Sequence, residues 1–147
     1  MFLVQLVYYG DLVIPTPSWV SYAPQATIIG RHIRWVSTRP EDGWRITPDR
    51  LDALCCRDPR RPRIVILNYP NNPSGMTYGS EELEALAEVA RRYRVILLSD
   101  EIYGEVQFNG QHASIARFYP GGHHYQRRVE QMVRCGWLAP RYFHLSL

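Results

Sequence analysis

The chain has 147 residues, 46% of them hydrophobic, enough for one domain with a real core. No run of 18 apolar residues exists, so no membrane-spanning helix is predicted, and the apolar start lacks the basic region and small-residue cleavage site of a signal peptide. The net charge of +3 does not describe a nucleic-acid surface: residues 1–120 carry 13 Arg against 13 acids, and the excess lies in residues 121–147, with four Arg against Glu130.

In chain order, the first residues read as a helix end leading into a strand. Leu12–Ile14 is a short strand that Pro15 and Pro17 should end. Ser18–Ile29 suits a helix stopped by Gly30. His32–Val36, β-branched and aromatic, suits a strand. Thr47-Pro48-Asp49 is a strong helix start: a capping hydroxyl, a proline at the first helical position and an acid at the positive end of the dipole. That helix should run to about Cys56, and Arg57–Arg63 should be loop. The three cysteines, Cys55, Cys56 and Cys135, form neither a disulfide framework nor a CxxC metal pattern, which makes a reducing, cytoplasmic setting the default.

Ile64–Leu67 is apolar at every position, as expected of a strand covered on both faces. A turn-rich segment, Asn68–Gly75, follows. The helix Ser80–Arg92 then opens with Glu81 and Glu82 and puts Leu83, Leu86, Ala87 and Ala90 on one stripe. Val95–Leu98 is the next strand. Strand, helix and strand at this spacing form a βαβ unit with parallel strands, so the fold class is α/β, a mostly parallel sheet with helices on its faces.

Three clusters carry chemistry. Asn68-Tyr69-Pro70-Asn71-Asn72-Pro73-Ser74-Gly75 follows a buried strand; any one of its dipeptides is by itself a rigid turn. Ser99-Asp100-Glu101-Ile102-Tyr103 follows the next strand, where a lone Asp is ordinarily a helix cap. Pro17-Ser18-Trp19-Val20-Ser21-Tyr22 follows GDLVIP, and Trp19 alone would be a core or surface residue. Together, in this order, they resemble N-x-P-x-N-P-[TS]-G, D-E-x-Y and the aromatic after G-D-x-V-x-x-P of class I/II aminotransferases, nearest the aspartate and aromatic amino-acid group. The resemblance covers residues 1–120, read as part of the family's large domain. Carbon–sulfur lyases of the same fold share similar motifs. A Rossmann-type dehydrogenase is disfavoured, because no G-x-G-x-x-G follows the first strand.

The resemblance implies pyridoxal 5′-phosphate as cofactor, an amino acid and a 2-oxo acid as substrates, and a homodimer. It implies that Asp100 pairs with the pyridine nitrogen, that Asn72 and Tyr103 donate to the phenolate oxygen, and that Trp19 stacks on the ring. It also implies parts that this sequence does not contain. The phosphate-cradling loop is expected upstream of Met1, and the arginine for the substrate carboxylate far downstream. The lysine that anchors the cofactor is expected about thirty residues after Tyr103. All 17 basic residues are Arg, and no Lys occurs anywhere. The chain as written is therefore expected to be inactive and to bind the cofactor weakly or not at all. Either it is a fragment of an aminotransferase, or it persists as a non-catalytic binding or interaction remnant.

Residues 121–147 lack any period and differ in composition, which suggests a tail read out of frame. Back-translating Glu130-Gln131-Met132 and reading one base later permits Ser-Lys-Trp. Carried through the tail, the shifted frame permits T-I-T-S-x-x-L-S-K-W-C-G-A-G-G-W-R-L-G-T-F, which resembles the family's L-S-K…G-W-R-x-G block. A one-base insertion near Gly121 and Gly122 would produce it.

Overall fold

The computed structural model describes residues 2–106, 110 and 112–119. The boundary drawn at residue 120 and the tail at 121–147 lie outside the described residues. Four helices and four strands alternate: α1 (Phe2–Val7), β1 (Asp11–Thr16), α2 (Tyr22–Ile28), β2 (Ile33–Ser37), α3 (Pro48–Cys56), β3 (Arg63–Asn68), α4 (Ser80–Tyr93) and β4 (Ile96–Asp100). Short 3₁₀ turns occur at Pro40–Asp42 and Ile115–Arg117. The strands form one sheet in the order β2-β1-β3-β4, and every pairing is parallel. Among the described residues no helix is long and apolar enough to cross a membrane.

Side chains alternate across each strand, and the core divides accordingly. Leu12, Ile14, Ile64, Ile66 and Leu98 face α1 and α2, where they pack with Val4, Tyr22 and Ala26. Val13, Val65, Leu67 and Leu97 face α3 and α4, against Leu51, Cys55, Leu83, Leu86, Ala87 and Ala90. Full burial of each such aliphatic side chain stabilises the fold by roughly 1.5–3 kcal/mol. Ile64–Leu67 are at most 1% exposed, and Leu97 and Leu98 are fully buried. The chain's own helices thus cover both β3 and β4. Exposed apolar surface lies elsewhere, on Val7, Tyr9, Val20, Ile28 and Trp35.

Two element boundaries differ from the sequence reading for local reasons. β1 continues through Pro15 to Thr16. The amides of Asp11 and Leu12 point to opposite neighbours, Asp11 toward Pro62 and Leu12 toward His32. By that alternation the amide that Pro15 lacks would face β3, and pairing with β3 already ends at Val13. The β1–β3 ladder stops where that amide is missing, while pairing with β2 continues to Thr16. α2 begins at Tyr22 rather than Ser18. Pro24 then sits in the first turn, where its missing N–H would have had no helical partner; a start at Ser18 would bury it mid-helix. α3 starts as expected, with Thr47 Oγ1 accepting from the Arg50 amide at 3.3 Å.

Candidate functional site

Because all four strands run the same way, their C-terminal ends share one edge of the sheet. The three clusters noted in the sequence lie at or just past the C-terminal ends of β1, β3 and β4, so parallel pairing brings them to that edge. Open α/β sheets bind ligands there.

Asp100 ends β4 and is only 8% exposed. Its Oδ2 accepts from the hydroxyl of Tyr22 at 2.7 Å, and among the described residues Oδ1 has only a long contact of 3.4 Å from the Ile102 amide. Tyr22 is fully buried, and the edge of the Trp19 ring meets it at 5.4 Å between centroids. Burial first, and the Asp100 carboxylate next, push the Tyr22 phenol far above the ordinary tyrosine range. Tyr22 stays a neutral donor, and Trp19, Tyr22 and Asp100 form one continuous contact.

The turn after β3 is tied to the same place by Asn68. Its Nδ2 donates to the Asp100 carbonyl at 3.1 Å, and its Oδ1 accepts from the Asn72 amide at 2.8 Å. The turn closes on itself: Asn71 Oδ1 accepts from Ser74 N and Oγ, and the Gly75 amide reaches Asn71 O at 2.7 Å. Gly75 has φ 71°, a conformation that the turn needs and that side chains disfavour.

The structure therefore joins Trp19 and Asp100 through Tyr22, and Asn72 to Asp100 through Asn68. Tyr103 sits in the turn after β4, 37% exposed, near enough to Tyr22 to act on its phenol electrostatically. A shallow cleft at this edge is lined by residues that include Ser18, Tyr22, Trp44, Asn68, Asn71 and Tyr78, not by the four nominated residues themselves. Tyr22 and Asn68 were quoted in the sequence clusters without a role. Both hold other site residues in place, and such roles follow from spatial neighbours that sequence order does not reveal.

The family model for aminotransferase class I and II matches residues 3–130. The chain belongs to the class I and II aminotransferase family. The match runs ten residues past the boundary drawn at 120. Aspartate aminotransferase of Geobacillus stearothermophilus is 39% identical over 121 residues, 82% of this chain and 30% of that protein. Aspartate/prephenate aminotransferase of Thermus thermophilus is 36% identical over 110 residues, 75% of this chain and 28% of the relative. Among solved structures, the aspartate aminotransferase of Thermus thermophilus with maleate superposes with a TM-score of 0.71 at 36% identity, covering 81% of this chain and 31% of that one. The Rhizobium meliloti aspartate aminotransferase gives 0.72 at 31% identity, covering 81% and 30%. The chain thus spans about three-tenths of the length of the curated relatives it matches.

The donor set suits the cofactor on which this family generally depends. A carboxylate offers about four lone-pair positions, and among the described residues Asp100 uses two, one of them weakly. Capacity remains on a buried anion for a protonated ring nitrogen. Among the described residues, no hydrogen bond engages the side-chain amide of Asn72 or the hydroxyl of Tyr103.

Proposed function

We propose that this chain is the central part of a pyridoxal-phosphate-dependent aminotransferase that moves an amino group between an amino acid and a 2-oxo acid, and that the chain as written does not catalyse the transfer. The carrying observation is the Tyr22–Asp100 contact of 2.7 Å at the shared strand edge. When bound, the cofactor supplies an electron sink that withdraws charge from the substrate's α-carbon. Asp100 would keep the ring nitrogen protonated by ion pairing, and Tyr22 holds that carboxylate by a neutral donor. Asn72 and Tyr103 would donate to the phenolate oxygen, and Trp19 would stack on the ring. The chain supplies no lysine side chain to anchor the cofactor or to carry a proton. The intact protein is proposed to be a cytoplasmic homodimer.

The test is direct. The purified chain should bind pyridoxal 5′-phosphate and pyridoxine 5′-phosphate, which lacks the aldehyde, with similar affinity. Borohydride reduction and peptide mass analysis should find no pyridoxyl group on any side chain. Measurable amino transfer by this chain sinks the inactivity reading. The tail at 121–147 is proposed to be out of frame, and resequencing the locus decides it. Removing one base near Gly122 must open a frame that runs past Leu147 and contains a lysine.

A further inference from the structure

Glu101 is 4% exposed and belongs to no role assigned above. Its Oε1 accepts from Ser99 Oγ at 2.6 Å, Ser114 Oγ at 2.9 Å and Tyr69 Oη at 3.0 Å. Its Oε2 contacts His112 Nε2 at 2.6 Å. A carboxylate offers no proton, so the imidazole proton sits on Nε2. The Tyr69 hydroxyl also accepts from the Ile115 amide at 2.8 Å, and its ring stacks on His112 at 5.3 Å. Burying a carboxylate costs several kcal/mol, and the contacts of Ser99, Ser114, Tyr69 and His112 offset that cost. An apolar side chain would fill the space without it.

The geometry shows what this arrangement holds. Asp100 and Glu101 are consecutive, so their side chains leave the strand end in opposite directions, Asp100 toward Tyr22 and Glu101 toward Tyr69 and His112. The Asp100 carbonyl between them accepts from the Tyr69 amide and from Asn68 Nδ2, both at 3.1 Å. Tyr69 therefore holds this peptide's carbonyl by its amide and the Glu101 side chain by its hydroxyl. The turn that follows closes tightly over His112: a Cβ on Gly104 would stand 3.0 Å from the His112 ring and 3.1 Å from Glu101 O.

We propose that Glu101 is a positioning residue: a buried hub, through Tyr69, Ser99, Ser114 and His112, that fixes the backbone from which Asp100 reaches Tyr22 and the ring nitrogen. The reach to the ring nitrogen rests on the cofactor reading above; the reach to Tyr22 does not. Glu101→Gln is the sharp variant. An amide has one acceptor oxygen, so it cannot accept on both sides. With the oxygen toward Ser99, Ser114 and Tyr69 its NH₂ faces the His112 ring; turned the other way, the NH₂ displaces the three hydroxyl donors.

The readout is the Tyr22 hydroxyl proton, followed by NMR. In the native chain it should be resolved and slow to exchange, because the phenol is fully buried against a carboxylate. In Glu101→Gln its exchange should quicken at least tenfold while amide exchange in β1 and α3 stays unchanged. Tyr69→Phe keeps the ring and removes one donor, and should quicken it several-fold; it serves where the Gln variant does not fold. Unchanged hydroxyl exchange in a folded variant overturns the hub, as does acceleration shared equally with β1 and α3. Pyridoxine 5′-phosphate binding is measured in parallel on the native chain and Asp100→Asn. Equal affinities there overturn the cofactor reading, while the hub is still judged by the hydroxyl.

Discussion

Asp11 and Asp100 are buried aspartates at opposite edges of one sheet, 5% and 8% exposed. At the N-terminal edge, Asp11 is surrounded by two arginines and a histidine. Arg61 grips it with Nε at 2.6 Å and Nη2 at 2.8 Å, and His32 and Arg34 approach at 3.3 and 3.5 Å. The hydrogen bond from Arg61 leads in holding its carboxyl below the usual aspartate value. Here the chain passes so close to β3 that a Cβ on Gly10 would stand 2.8 Å from Pro62 O. At the C-terminal edge, Asp100 has one short bond, from a neutral phenol. The same side chain staples the fold where its charge is neutralised and is left with capacity where it is not.

The largest effect expected is a swap of phenotypes between the two edges. Asp11→Asn should lower unfolding free energy by about 1–3 kcal/mol, the range for hydrogen bonds to charged groups, and leave pyridoxine 5′-phosphate affinity unchanged. Asp100→Asn keeps an acceptor for Tyr22, so stability should move by less than about 1 kcal/mol. Its affinity for the ligand should fall by about tenfold or more, a loss of about 1.4 kcal/mol. Denaturant melts and ligand titrations check both; a ligand defect in Asp11→Asn would erase the distinction.

A smaller effect separates the edges by pH. The folded-state value of Asp11 lies below its ordinary 3.8. Its contribution is therefore fully present above that ordinary value and is lost as pH falls through the folded-state value. The stability gap between the native chain and Asp11→Asn should be constant from about pH 7 to pH 5 and shrink in acid below about pH 4. A gap that grows on acidification contradicts the assignment.

The smallest effect concerns one of the two outer strands. Among the described residues β2 pairs only with β1, and Trp35 on it is 54% exposed. Trp35→Lys should reduce sedimenting aggregate and change unfolding free energy by less than about 0.5 kcal/mol, as for a surface substitution. Equal aggregation would direct attention to Val7, Tyr9 and Ile28 instead.

Periodicity and turn chemistry made the strands and helices legible in the sequence. α3 starts at the Thr47-Pro48-Asp49 signal and ends at Cys56, and the apolar runs before the two main motifs are buried strands. These signals are local, written in residues within one turn or one pleat of each other. The family was equally legible, because its motifs are contiguous and follow strand ends. What sequence order does not carry is distance in space. Asn68 acts as the tether to Asp100 across 32 residues, Tyr22 as the donor to Asp100 across 78, and Arg61 as the clamp on Asp11 across 50. The covering of β3 and β4 by the chain's own helices also emerged only from packing, since each face of the sheet draws its partners from separate helix pairs. Local patterns determined which elements form and which family they belong to. Parallel pairing and the packing of α2 against the sheet decided which side chains meet at the strand ends.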